Sequence, residues 1–416
     1  MIRIGALPKM TRSRVLVAVL LAVALVWGAF LLRSPDTLVY PEVAELSSVS
    51  WTKEQYADYF TKLARTKGAV YAFAVLYKAP FPFGIDTHVL GHYVGYVLHD
   101  ERGTDAITFC TEYYRDDACV HAIVIQEYVR EGREALTRLA MACESLPRGT
   151  VGYADCFHGI GHGILAYLAY DYQTAVGECK TVGEIAANAD PDTDHQVLYV
   201  WKQCVDGATM ELFQGLHDKE AQAKVVPIYL PETDARMPCD ASYVPDAVRG
   251  SCYIYARYRM LTIEHAAQGV DVDRDAYARA LAHCEEVPNA DDRKSCFGGF
   301  GMDLVYRMSG NDNRSFEKLS GSAMSTIHEL CVLAPNFNDQ SPCILTAAET
   351  ILGRSRDVGA TIEFCALSPD PALRDRCYHA LILSANLYVP NNVDQIVCAK
   401  LPPEYREPCR EHNLSL

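Results

Sequence analysis

The chain has 416 residues and lacks the short signatures that mark most well-known catalytic sites. It has no G-x-S-x-G elbow, no H-E-x-x-H, no P-loop and no dinucleotide-binding glycine fingerprint, which sets aside the enzyme classes that carry them. Sixteen cysteines are present, yet no two are three residues apart, so zinc-ribbon and thioredoxin-type sites are excluded. Alternating apolar runs are few, and no Asn-Gly or Asp-Gly turn separates two of them, so a β-sheet domain has no signal. Basic charge is also in short supply. Five of the 38 Lys and Arg residues lie at the extreme N-terminus, which leaves 33 against 53 acids, a net of −20 for the rest. Such a surface repels phosphate backbones and excludes nucleic acid as a partner.

What is present begins with an unbroken apolar run, Val15 to Leu32, just long enough to cross a bilayer as a helix. Arg3, Lys9, Arg12 and Arg14 precede it, and no acid occurs before Asp36. The positive-inside bias then keeps residues 1–14 in the cytoplasm, makes 15–32 a transmembrane signal-anchor and 33–50 a linker, and exports 51–416. The competing reading is a cleaved signal peptide, but the run is long for one and no small-x-small site ends it. A single-pass protein with a periplasmic or extracellular domain also suits the cysteines, because paired thiols persist as disulfides outside the reducing cytosol.

The cysteines fall into eight consecutive pairs with none left over: Cys110/Cys119, Cys143/Cys156, Cys179/Cys204, Cys239/Cys252, Cys284/Cys296, Cys331/Cys343, Cys365/Cys377 and Cys398/Cys409. Around most pairs the same unit recurs. A helical stretch ends at the first cysteine, a polar loop rich in proline follows, and the second cysteine opens another helix. First-cysteine spacings of 33, 36, 60, 45, 47, 34 and 33 point to a period near 34 with insertions, the mark of stacked helical hairpins. The fold class expected is all-α: disulfide-stapled αα-hairpin repeats, arranged as a solenoid or an α/α toroid, after one N-terminal transmembrane helix. Thr52-x-x-Gln55 has capping-box spacing and starts the first helix. The organisation is similar in design to that of disulfide-tied αα-hairpin repeat proteins, and no residue role is carried over from them.

Aligning the second helices on their opening cysteine reveals a column of histidines. Two residues on stand His121, His158 and His379, where the other units have Asp206, Ile254, Gly298 and Leu345. Six residues on stand His162, Met210 and Met302. The segment DTHVLGHYVGYVLHD fits the same frame with Asp86 in the cysteine's place, His88 second and His92 sixth. Two copies of H-x-x-G-H therefore sit in equivalent positions, with His121 in the unit between.

Residues at i and i+4 share a helical face, and two imidazoles so placed can bind one metal ion. Stacking the units brings His88, His92, His121, His158 and His162 to one surface, a donor set that suits Zn, Cu, Fe or Ni. Asp86, Asp100 and Glu127 are the nearest carboxylates, and Glu127 or Asp100 is the candidate base if the centre is catalytic. A lone helical histidine is usually a packing residue, and His-x-x-x-His arises readily by chance.

Gly159, Gly161 and Gly163 each weaken their helix by about 1 kcal/mol relative to Ala. Gly298, Gly299 and Gly301 recur in a unit without histidine, which makes the glycines a packing feature. Met210 and Met302 are core fillers before they are copper ligands. Tyr93, Tyr96, Tyr167 and Tyr170 either line a ligand groove or pack with a wet hydroxyl. Asp271, Asp273 and Asp275 resemble a calcium loop without its glycine, and a helix N-cap accounts for them. Asp190, Asp192, Asp194 and His195 form an acidic turn.

Two functions remain. One is a membrane-anchored, exported repeat protein with a His-rich Zn, Cu or Fe site, structural or catalytic. The other is a metal-free scaffold that binds a protein or peptide partner on its concave face.

Overall fold

The computed structural model describes residues 40–82, 85–113, 117–187, 193–266, 272–309, 319–389 and 393–414. The expected anchor at 15–32 lies outside them, as do Asp271 and the acidic turn at Asp190 and Asp192. Asp194 and His195 fall within a helix, but their side chains lie outside the description. Among the described residues no helix is long and apolar enough to cross a membrane.

Every regular element described is helical. Three helices lead in, α1 (Pro41–Leu46), α2 (Lys53–Lys67) and α3 (Ala69–Leu76). There follow α4 (Thr87–Arg102), α5 (Ala106–Tyr113), α6 (Asp117–Glu131), α7 (Leu136–Glu144), α8 (Val151–Tyr167), α9 (Tyr172–Ala187), α10 (Thr193–Gln214) and α11 (Lys219–Tyr229). The C-terminal half holds α12 (Asp246–Ile263), α13 (Arg274–Glu285), α14 (Ala290–Ser309), α15 (Gly321–Cys331), α16 (Phe337–Ser355), α17 (Val358–Ala366), α18 (Pro371–Tyr388), α19 (Val393–Ile396) and α20 (Pro403–Leu414).

All eight cysteine pairs are disulfides within their own unit: Cys110–Cys119, Cys143–Cys156, Cys179–Cys204, Cys239–Cys252, Cys284–Cys296, Cys331–Cys343, Cys365–Cys377 and Cys398–Cys409. Their Cα–Cα distances run from 5.4 to 5.7 Å. The long Cys179/Cys204 loop closes like the others, joining α9 to α10. Closing a loop of a dozen residues contributes roughly 3 kcal/mol in the chain-entropy account.

The place of the second cysteine in its helix needs correcting. It was expected to open that helix, and it does not. Cys119 lies two residues after the start of α6, and Cys156 five after the start of α8. Cys252, Cys296, Cys343, Cys377 and Cys409 each lie six after the starts of α12, α14, α16, α18 and α20, while Cys204 lies eleven residues into α10. Three first cysteines depart from the pattern as well, among them Cys179, which lies seven residues into α9 and eight before its end. Cys239, the partner of Cys252, sits in irregular chain between α11 and α12, and Cys398 sits in a short 3-10 turn.

Local sequence explains the earlier starts. Thr52 and Gln55 close the capping box at α2. Asp86, Thr150, Asp273, Asn336 and Asp370 accept hydrogen bonds from the free first-turn amides of α4, α8, α13, α16 and α18. Each such cap contributes about 1 kcal/mol. Those at α8, α16 and α18 lie inside the polar loops and draw the helix back ahead of its cysteine. At α12 the preceding Pro245 holds extended backbone just ahead of the first turn, so the helix begins at Asp246 and not at Cys252. Asp273 is the N-cap expected of it.

The longer helices α4, α6, α8, α10, α12, α14, α16 and α18 pack in succession, each on the next. One apolar core runs from Leu46 to Cys409. Glycine sets the closest of these contacts. A methyl group on Gly161 of α8 would overlap the carbonyl oxygen of Cys204 on α10, and one on Gly207 of α10 would overlap the carbonyl oxygen of His158 on α8. The same pair of contacts recurs at α14, where Gly301 meets the carbonyl of Cys343 and Gly299 that of Ile254. Gly159 lies against the Cα of His121 on α6. Equivalent positions of neighbouring helices therefore do lie side by side.

A matched pair of substitutions tests this packing. Gly161→Ala must push two backbones apart and should destabilise the protein by about 3 kcal/mol. Gly177→Ala, on an exposed turn of α9 with nothing within 4 Å, should gain up to about 1 kcal/mol from helix propensity. Urea unfolding followed by circular dichroism measures both; equal effects would contradict the contact.

Candidate metal centre

The contacts just described bring all five predicted histidines together. On α4, His88 and His92 face each other with their Nε2 atoms 3.0 Å apart. On α8, His158 and His162 do the same, again at 3.0 Å. His121 on α6 stands between the pairs, its ring centroid 5.5 and 5.9 Å from His88 and His92 and 5.0 and 5.1 Å from His158 and His162. His92, His121, His158 and His162 are buried and His88 is half-buried. Ring nitrogens of His88, His92 and His121 all lie within 4.8 Å of one another, close enough to share an ion.

Two carboxylates from α10 complete the arrangement. Asp206 Oδ2 accepts from His158 Nδ1 at 3.1 Å and from the Tyr255 hydroxyl at 3.2 Å. Glu211 is fully buried. Its Oε2 lies 2.9 Å from His162 Nδ1 and 2.7 Å from Nδ1 of a sixth histidine, His217. Its Oε1 accepts from the His217 amide at 3.1 Å and from the Tyr170 hydroxyl. His217 then reaches back to α4, with Nε2 3.3 Å from His92 Nδ1. Oxygen and nitrogen atoms of His162, Glu211 and His217 form a second set within 4.8 Å, though the 2.9 and 2.7 Å separations inside it are those of N–H···O hydrogen bonds.

Turns deliver the residues that periodicity does not. After α10 the chain reverses at Gly215 with φ +58°, its amide bonded to the Glu211 carbonyl, and this places His217 on the carboxylate. After α8, Ala169 and Tyr170 both take positive φ, 49° and 66°, and the Tyr170 amide closes back on the Leu165 carbonyl at 2.9 Å. Two adjacent non-glycine residues in that region mark local strain held by the surrounding structure. The Tyr170 hydroxyl is held in turn by the Asp218 amide at 3.0 Å.

This geometry dictates tautomers. An ionised carboxylate only accepts, so His162 and His158 each donate from Nδ1, to Glu211 and Asp206. A neutral imidazole with its proton on Nδ1 has a bare lone pair on Nε2. The two lone pairs of His158 and His162 then point at one another across 3.0 Å. Two neutral rings of this tautomer cannot hold that contact; a shared proton or a metal ion between them can. Burial pushes His162 down to about 4 against the opposing pull of Glu211, so this ring resists supplying the charge by protonation. Burial works against the charge of Glu211, but His217 and His162 outweigh it and keep the carboxyl well below its usual range. The pair is therefore a neutral donor on an anion. Two nitrogens bound to one tetrahedral zinc at 2.0–2.1 Å stand about 3.3 Å apart, close to the separation here.

The remaining candidates lie elsewhere. Glu127 on α6 is buried but committed to His99 at 2.7 Å, to Arg130 at 3.1 Å and to Arg138. Asp100 is exposed at the end of α4. Neither stands at the histidines as a base, and the carboxylates that do are Asp206 and Glu211. Asp86 caps α4, accepting from the amides of His88 and Val89. His379 is half exposed beside Asp375 and Tyr405, apart from the cluster. Tyr170 and Tyr96 approach the site, Tyr96 edge-on to His92, while Tyr93 and Tyr167 are exposed. Met210 and Met302 line a cavity of about 1150 Å³ that opens against His88, His158 and Asp206.

No protein-family model, no curated protein and no solved structure matches this chain. The chemistry of the site thus stands on its own geometry.

The pH dependence of the metal-free protein follows from His162. Its folded value of about 4 lies below the ordinary 6.5, so between these limits the unfolded chain binds more protons than the folded one. Stability should fall as pH drops from 6.5 toward 4, and the depressed Glu211 adds a loss of the same sign at the acid end. Urea unfolding in EDTA at a series of pH values checks this. His162→Gln should flatten the slope over that window; an unchanged slope would contradict the assignment.

Proposed function

We propose that the protein is an exported metal-binding protein, anchored by residues 15–32, whose helical hairpins curve around a central chamber and hold a transition-metal centre at its wall. One observation carries the reading. The Nδ1 atoms of His158 and His162 are both taken by carboxylates, so their Nε2 lone pairs converge on a common point. A carboxylate that orients a metal-binding imidazole through its far nitrogen is the usual outer partner of histidine ligands. His88, His92 and His121 offer three further nitrogens alongside. Imidazole donors favour Zn, Cu or Fe. The eight disulfides fit an oxidising, extracytoplasmic compartment. Support for the curved stack comes from the chamber itself, which is lined both by Val70 and Ala74 of α3 and by Tyr388 of α18. If the centre is catalytic, Glu211 and Asp206 orient ligands and the ion activates water or oxygen.

The test is metal content. Full-length protein without a histidine tag is purified, stripped with chelator, reloaded with Zn, Cu or Fe(II) and analysed by plasma mass spectrometry after desalting. Wild type should retain at least one ion per chain, and His88→Ala/His162→Ala should retain none. His379→Ala should behave as wild type. Glu211→Gln, which removes the charge that orients two rings, should weaken affinity by about 10- to 100-fold. A wild type that takes up none of the three metals leaves the protein-binding scaffold as the better reading.

A further inference from the structure

The 1150 Å³ cavity does more than adjoin the histidines. His88 and His158 belong to its wall, whereas His92, His121 and His162 lie buried behind them. An ion held by this set is walled by protein on the buried side, so its accessible side is the chamber. The volume is somewhat above the range of about 300–1,000 Å³ that small-molecule sites enclose. The rest of the lining is suited to a flat body. Arg354 stacks over Tyr306 with its guanidinium carbon 5.0 Å from the ring centroid, and Arg356 over Tyr388 at 5.3 Å. Buried Arg257 lies over Tyr258 at 4.3 Å. Met210, Met302 and Leu387 add apolar surface. Guanidinium–aromatic stacks accept planar groups and tolerate oxygen anions beside them.

We propose that the chamber is the ligand side of the metal centre, and that it takes an organic molecule with an aromatic or apolar body that reaches the ion through a pair of oxygen donors. This rests on the metal reading above, and it adds the direction of access and the chemical class. The oxygen pair occupies the coordination positions that the histidines leave toward the chamber, next to His88 and His158. The Tyr255 hydroxyl, through Asp206, fixes the orientation of His158 from the chamber side and acts as a positioning group.

Full-length protein loaded with Co(II) is titrated with benzohydroxamate, an aromatic chelator, and with benzamide, which lacks the oxygen pair. Visible absorption of the cobalt reports any change in its coordination. Benzohydroxamate should shift the bands and saturate, and benzamide should not. Ala74→Trp on α3 and Thr350→Trp on α16 fill the chamber from helices that carry none of the clustered histidines. Both should keep wild-type cobalt content, which shows that the centre has formed, and should raise the saturation midpoint at least about tenfold, the loss of roughly 1.4 kcal/mol of binding. Cobalt-loaded wild type whose spectrum ignores benzohydroxamate overturns the proposal while sparing the metal centre. So do tryptophan variants that respond as wild type does. Failure to take up cobalt at all would sink the metal reading itself and this proposal with it.

Discussion

The arrangement depends on two helices touching backbone to backbone. Gly161 and Gly207 let α8 and α10 approach until each presses a carbonyl of the other, and no side chain fits between them. That approach puts Asp206 and Glu211 within hydrogen-bond reach of His158 and His162. Gly159 does the same for α6 and brings His121 over both rings. Glycine inside a helix costs helix propensity, and here the close backbone packing of neighbouring helices offsets it. The recurrence of these contacts at Gly299 and Gly301, where no histidine stands, shows a packing device that does not depend on the histidines.

Disulfides and carboxylates play complementary parts around that contact. Disulfides such as Cys143–Cys156 and Cys284–Cys296 tie an early turn of one long helix to the end of its shorter partner, so the long helices share a common register. Within it, the side chains two and six residues past the anchor point on α4 and α8, with His121 on α6 and Asp206 on α10, face one region, whereas His379 on α18 does not. The carboxylates of α10 then choose the tautomers. Glu211 takes two ring N–H groups, one amide and one hydroxyl, which satisfies a fully buried charge and leaves the far nitrogens of the rings turned inward. A buried imidazole cluster without such partners would leave donors unpaired at a cost of about 1–3 kcal/mol each.

Much of this could be read from residue spacing. The cysteine pairs, the capping box at Thr52, the all-helical class and the meeting of His88, His92, His121, His158 and His162 follow from local chemistry and a 3.6-residue period. What escaped depends on contacts between distant segments. Glu211 stands seven residues after Cys204, outside the second and sixth positions, and His217 arrives only because Gly215 reverses the chain. Glu127 shares a helix with His121 but lies six residues on, about 9 Å along the axis. There it meets His99, Arg130 and Arg138 instead. The second helices start ahead of their cysteines because Thr150, Asn336 and Asp370, polar residues of the preceding loops, accept hydrogen bonds from first-turn amides, which cysteine spacing does not reveal. The pairing of Cys119 and Cys252 with their neighbours is unaffected by where the helix starts, because a cysteine within the first two turns of a helix still reaches the chain that precedes it.

The central claim is that several imidazoles, oriented by the carboxylates of Asp206 and buried Glu211, share one cation. X-ray absorption spectroscopy of the zinc-loaded protein addresses it most directly. The account predicts a nitrogen shell at about 2.0–2.1 Å, with outer-shell scattering from three or more imidazole rings. A shell of oxygen alone, or a spectrum that survives the loss of His158 and His162 together, would contradict it.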